Sequence, residues 1–71
     1  MHKINPKKLL NSKWTAVSPK HKEKHFMVTD VEFDEEGQVL HCIIEAVLTK
    51  RAVEIQWFNL KDEQEWAFGW R

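Results

Sequence analysis

Seventy-one residues with one cysteine make a single domain near the lower limit for folding alone, where only roughly 60% of the unfolded-state surface becomes buried. Cys42 has no partner for an internal disulfide, so four Trp and four Phe, with no Tyr, are the visible means of building a core, each removing about 150–250 Å² from water when buried. A net charge of zero argues against a dedicated high-affinity polyanion binder, which carries a clear basic excess.

That neutrality conceals an asymmetry. Residues 1–25 hold seven Lys against one Glu, residues 26–49 hold six carboxylates and no Lys or Arg, and the remainder has four of each sign. The basic arm has an anion, the acidic hairpin or water as its partner. The amino terminus MHKINPKKLL lacks the apolar segment of a signal peptide, and no run approaches the roughly 20 apolar residues that span a bilayer. With a lone thiol, which fits a reducing compartment, these features predict a cytoplasmic protein without a membrane partner. The domain is expected to span 1–71, with residues 1–4 disordered.

In chain order, Asn5 to Leu10 reads as a short helical turn. Asn5 caps it, Pro6 occupies the first position where no amide hydrogen is needed, and Leu9 and Leu10 dock it. Lys13 to Val17 has the β-branched and aromatic content of a strand. Residues 18–24 read as a solvated loop, since Pro19 removes a ladder donor and the charges oppose burial. The next strand begins near His25.

Residues 38–48, QVLHCIIEAVL, are the longest alternating run and the natural central strand. Two turns join it to its neighbours. A four-residue loop at Asp34 to Gly37, with Gly37 supplying positive φ, pairs Val31 with Leu40, Thr29 with Cys42 and Met27 with Ile44. A three-residue loop would pair Val31 with His41 and Met27 with Glu45, mixing the faces, so the four-residue register is preferred. A turn at Thr49 to Ala52 then pairs Leu48 with Val53, Ala46 with Ile55 and Ile44 with Trp57. The resulting core face is Met27, Thr29, Val31, Leu40, Cys42, Ile44, Ala46, Leu48, Val53, Ile55 and Trp57.

The opposite face carries Asp30, Glu32, His41, Glu45, Glu54 and Gln56, but the same registers align Val28, Ile43 and Phe58 as an apolar rung, with Phe26 nearby. In the tail, Asp62 and Glu65 have capping-box spacing and Gly69 suits a helix end, while Trp66, Phe68 and Trp70 alternate as in a strand. The pattern leaves both open. The predicted fold is mainly β, with a small α+β arrangement as the variant: an antiparallel three- to four-stranded meander with a short N-terminal helical turn and a Trp-rich C-terminal tail closing one face.

Lys8-Leu9-Leu10, Ser12-Lys13-Trp14-Thr15-Ala16, Lys22-Glu23-Lys24-His25-Phe26 and Glu45-Ala46-Val47, with Arg51, Trp57 and the ending Trp66 to Gly69-Trp70, resemble a small bacterial family of tryptophan-rich conserved hypothetical proteins. The resemblance runs from about Lys8 to Trp70. It implies a stand-alone bacterial protein and carries over no catalytic residue, substrate or cofactor.

Several chemistries can be weighed from the residues themselves. His2, His21, His25, His41 and Cys42 are ligand types, but a structural zinc site needs four convergent ligands, and His41 and Cys42 point to opposite faces of one strand. A nucleophilic Cys42 needs a thiolate and a base, whereas the register buries it as a small core hydrophobe. Asp30 and His41 fall opposite each other as an exposed cross-strand pair. No catalytic, metal or cofactor site is therefore assigned.

The favoured reading is a non-enzymatic interaction module whose protein partner is unknown, or a homodimer contact, using the Ile43 and Phe58 rung and the Trp66 to Trp70 tail. The alternative is single-stranded RNA or DNA, with Lys7, Lys8, Lys13, Lys20, Lys22 and Lys24 on phosphates. In that reading Trp14, Phe26, Phe58, Trp66 or Trp70 stacks on bases. Against it stands the core requirement of so short a chain, which needs its aromatics for stability.

Overall fold

The computed structural model describes residues 3–71. The chain forms one antiparallel five-stranded sheet in the order β4-β3-β2-β1-β5, with β1 at Lys13–Lys20, β2 at Glu23–Phe33, β3 at Val39–Ala46, β4 at Ala52–Ile55 and β5 at Trp66–Phe68. Two short 3-10 turns, Pro6–Lys8 and Trp57–Lys61, are the helical content among the described residues. The mainly β expectation holds. The meander has four strands, and the tail adds a fifth along the free edge of β1 instead of closing a face.

The first turn is built as its residues dictate. The Asn5 side chain accepts from the Lys7 N–H at 3.0 Å, and Pro6 occupies the first turn. Leu9 is buried but Leu10 is exposed, because two adjacent side chains of a turn cannot both face one sheet. The expected disorder of residues 1–4 falls partly outside the described residues, and Ile4 packs against the core.

β1 runs past Pro19 to Lys20, so the expected loop at 18–24 shrinks to the two residues His21 and Lys22. Both have positive φ, 55° and 63°, the backbone that a two-residue hairpin requires. The β1–β2 register is interrupted between Thr15 and Lys20, which places Pro19 where its missing donor does no harm.

The β2–β3 register differs from the expected one. Asp34 N–H bonds to the Gln38 carbonyl at 2.9 Å, closing the three-residue loop Glu35-Glu36-Gly37, and Met27 faces Glu45. Two β-bulges remove the mixing of faces that spoke against this loop. Leu40 is the extra residue on β3, between the Glu32–His41 and Phe33–Val39 pairs. Thr29 is the extra residue on β2, between Val28–Ile44 and Asp30–Ile43. Each bulge reverses the alternation, so Phe26 and Val28 face the core in place of Met27 and Thr29, while Val31, expected opposite Leu40, pairs with Cys42.

The β3–β4 pairing is displaced by four residues. Ile44 faces Val53 and Cys42 faces Ile55, across a connection at residues 47–51 in which Lys50 N–H bonds to the Ala46 carbonyl at 2.8 Å. Four is an even number, so the faces keep their identities, but Leu48 leaves the sheet and is exposed. Trp57 and Phe58 lie in the second 3-10 turn instead of in β4. The expected apolar rung is therefore absent. Val28 lies in the core, Phe58 is off the sheet, and Ile43 sits half-buried between Asp30 and Glu54.

The core lies on one face of the sheet and consists of Trp14, Phe26, Val28, Cys42, Ile44 and Ala46, covered by Leu9 and Leu60. The Trp14 indole N–H is satisfied by Ser12 Oγ at 2.9 Å, and the Ser12 hydroxyl donates to the Leu9 carbonyl. The tail is anchored on the other face. Thr15 Oγ1 donates to the Gly69 carbonyl at 2.7 Å and accepts from Arg71 N–H at 3.0 Å, and Trp70 Nε1 donates to the Phe26 carbonyl at 2.9 Å.

Candidate functional site

The residues proposed from sequence as a partner surface do not form one patch. Lys7 and Lys8 lie in the first 3-10 turn and Lys13 opens β1, whereas Lys20, Lys22 and Lys24 surround the opposite end of the β1–β2 hairpin. About 20 Å of strand, at roughly 3.3 Å per residue, separates the two groups. Phe26 is buried and has no face to offer a base, and Trp66 is half-buried with its ring edge-on to Phe26 at 5.2 Å. Ile43 lies within a charged row on the back face. Phe58, 54% exposed, lies on the second turn, off the sheet.

Trp70 is 45% exposed, with Lys13 Nζ 5.1 Å from its ring centre and His25 beside it. Of the proposed lysines, Lys13 alone is paired with a proposed aromatic; Lys61, outside that set, lies over Trp57.

Two apolar side chains that were not among the residues proposed as a partner surface border a concave feature of the molecule. Phe68 on β5 is 60% exposed and Leu10 is 52% exposed. With Ile4, Lys3 and Lys8 they line a groove of about 500 Å³ floored by Trp14, whose ring meets Phe68 edge-on at 5.1 Å. Its other described lining residues, Asn5, Asn11 and Ser12, are uncharged, so no carboxylate lines it among the described residues. The signal for Leu10 was present in the sequence: of Leu9 and Leu10 only one can point inward.

The strongly perturbed titratable groups lie elsewhere. Glu23, the one carboxylate of residues 1–25, is buried beside Arg51, which reaches both of its oxygens from Nε and Nη2 at 2.6–3.2 Å. Thr49 donates a further hydrogen bond to it. These donors hold its carboxyl well below the usual range, at about 2, against an opposing effect of burial, and the same pairing raises the Arg51 guanidinium. Both oxygens of Glu23 are engaged by Arg51 and one also by Thr49, so it ties the β3–β4 connection to the β1–β2 hairpin. Cys42 is wholly buried, and desolvation, aided by the Asp30 charge, pushes its thiol up to about 11. A thiol so placed is neutral at physiological pH.

His41 Nε2 and Asp30 Oδ2 approach to 3.2 Å, although the two residues are not directly opposite in the sheet. Among the described residues no three His, Cys, Asp or Glu side chains converge as metal ligands, and no helix is long and apolar enough to cross a membrane.

Residues 12–71 match the family model described as Tryptophan-rich protein (DUF2389). The chain belongs to that family. No curated protein and no solved structure matches it. The Tryptophan-rich protein family has no assigned function, so what the chain does must be argued from its own surface. The matched region contains β1 to β5 entire, including Phe68 and Trp70.

Proposed function

We propose that this member of the Tryptophan-rich protein family is a non-enzymatic binding module, and that its contact surface is the groove between the N-terminal 3-10 turn and β5. The observation that carries this reading is Phe68. It occupies a sheet strand and touches Trp14, yet keeps 60% of its surface in solvent at the rim of a 500 Å³ groove beside an exposed Leu10. Exposing two large apolar side chains around one concavity is costly unless a partner covers them. The groove volume falls within the roughly 300–1,000 Å³ of ligand-binding clefts. The groups with shifted acidity, Glu23, Arg51 and Cys42, lie outside it, which favours binding over acid–base or thiol chemistry at this place.

A single-stranded nucleic acid is the second reading, supported by Lys13 held over the exposed Trp70 ring. It predicts affinity for a short oligothymidine that falls steeply between low and moderate salt. The binding-module reading is tested by selecting random phage-displayed peptides on the immobilised protein and rescreening the clones on Phe68→Ala. Clones retained by the wild type and lost on that variant support the groove. Failure to enrich any clone, or clones indifferent to the substitution, refutes it.

A further inference from the structure

We infer that the occupant of this groove is an extended acidic peptide segment that adds to the outer edge of β5 and places one large apolar side chain between Phe68 and Leu10. The inference rests on the binding-module reading and adds to it a backbone geometry and a charge.

The geometry comes from the strand ladder. Gly69 N–H bonds to the Lys13 carbonyl at 2.8 Å, and Val17 N–H bonds to the Glu65 carbonyl at 3.0 Å. In an antiparallel ladder, residues that exchange bonds with a neighbour alternate with residues whose polar groups point away. Residues 65, 67 and 69 therefore face β1, and the Phe68 N–H is turned to the open side of the sheet. Among the described residues no strand lies beyond β5. An incoming extended chain finds an edge donor at Phe68, the same residue whose ring forms the rim of the groove, while the Phe68 carbonyl already accepts from Arg71 Nε at 3.2 Å. Strand addition with an alternate side chain placed in a pocket is a recurring mode of peptide recognition, and this edge has the two parts adjacent.

The charge comes from the walls. Lys3 and Lys8 line the groove, Lys7 adjoins Lys8 in the chain, and none of the described lining residues is acidic. A carboxylate flanking the inserted side chain meets these ammonium groups, whereas a basic peptide meets repulsion. Acidic flanks are thus selected by the site itself. A nucleic acid fits less well here, because Phe68 and Trp70 present their rings on opposite faces of the edge. Phe68 lies against core-facing Trp14, and Trp70 lies against Lys13 and His25 on the other face.

The peptide selection described above separates this inference from its premise. Clones that depend on Phe68 should be enriched in Asp and Glu on either side of a Phe, Trp, Leu or Ile. Clones that depend on Phe68 but are neutral or basic overturn the inference and leave the binding module standing. Clones that ignore Phe68 overturn both. A synthetic eight-residue peptide of the enriched pattern, titrated into the labelled protein, is expected to shift the amide signals of residues 67–69 and of Leu10. Lys8→Glu should weaken it at least tenfold, while Lys22→Glu, at the far hairpin tip, should leave it within twofold. Replacing the peptide amide whose carbonyl meets the Phe68 N–H by an ester, a weaker acceptor, should weaken it severalfold, and indifference to that replacement refutes strand addition. Tighter binding of a twelve-residue oligothymidine at the same amides overturns the peptide assignment. So does concentration-dependent self-association abolished by Glu35→Lys, which would make the acidic tip of a second copy the occupant.

Discussion

Leu60 offers the sharpest test of how the single sheet obtains a core. It is wholly buried in the connection that crosses from β4 to β5, while Phe58, two residues earlier in the same 3-10 turn, is more than half exposed. Hydrophobicity alone ranks Phe58 as the more important of the two. Leu60→Ala removes about three methylene equivalents, or about 2.4 kcal/mol at ~0.8 kcal/mol each. The residual cavity brings measured Leu→Ala losses to about 2.7–5 kcal/mol. The lower part of that range is expected, because a short surface turn can settle partly into the space. A chain of this length has a total stability of roughly 4–11 kcal/mol, so the variant should lose about 10 °C or more in Tm, at about 4–8 °C per kcal/mol. Phe58→Ala should cost about 1 kcal/mol or less. Paired thermal and urea denaturation measures both. Equal losses, or a larger loss for Phe58→Ala, would refute the placement of the connection over the core.

Four further outcomes follow from the same structure. The folded Glu23 carboxyl lies at about 2 against an ordinary 4.5, so its stabilisation is complete above about pH 4.5 and is lost as pH falls toward 2. The stability difference between wild type and Glu23→Gln should shrink over that window, and a constant difference would sink the assignment. Cys42 should resist a thiol-specific disulfide reagent at pH 8 in the native state and react only as denaturant unfolds the chain, because burial pushes its thiol up to about 11. Leu40→Lys should change stability by no more than about 0.5 kcal/mol, as expected of an exposed bulge residue, whereas Ile44→Lys should prevent folding by leaving an ammonium in the core. Thr15→Val should speed amide exchange at residues 67–71 and leave β3 unchanged, since Thr15 Oγ1 bonds to both Gly69 and Arg71.

What the sequence disclosed, and what it did not, divides along the range of the forces involved. Asn5-Pro6 and Gly37 were readable because capping and positive φ are local chemistry. The inward face of β3 at Cys42, Ile44 and Ala46 was readable because alternation within one strand needs no partner. Register was not. The parity argument assumed unbroken pleats, and two bulges at Thr29 and Leu40, neither marked by Gly or Pro, cancel each other's offset and make the three-residue loop compatible with a single apolar face. The tail was undecidable for a related reason. Asp62 does form a turn, accepting from the Glu65 and Trp66 N–H groups, and what makes the following residues a strand is the open edge of β1, fifty residues away in sequence.

The candidate site falls on the same divide. Alternation assigns Trp66 and Phe68 to one face, and the structure agrees, with Ala16 and Trp14 opposite them in β1. Their difference in exposure arises from where the sheet stops. Trp66 is covered by the Phe26 ring, while Phe68 touches Trp14 on one side and has no strand on the other. A residue type suited to the core becomes a surface residue by standing on the last strand, and no periodicity can announce which strand is last. The groove beneath it depends on the same accident of order, since Leu10, Lys3 and Lys8 reach its rim only because β5 lies beside β1. Displacing β5 should therefore remove the proposed binding surface as a unit while β2, β3 and β4 stay paired, so the groove and the integrity of the rest of the sheet are separable.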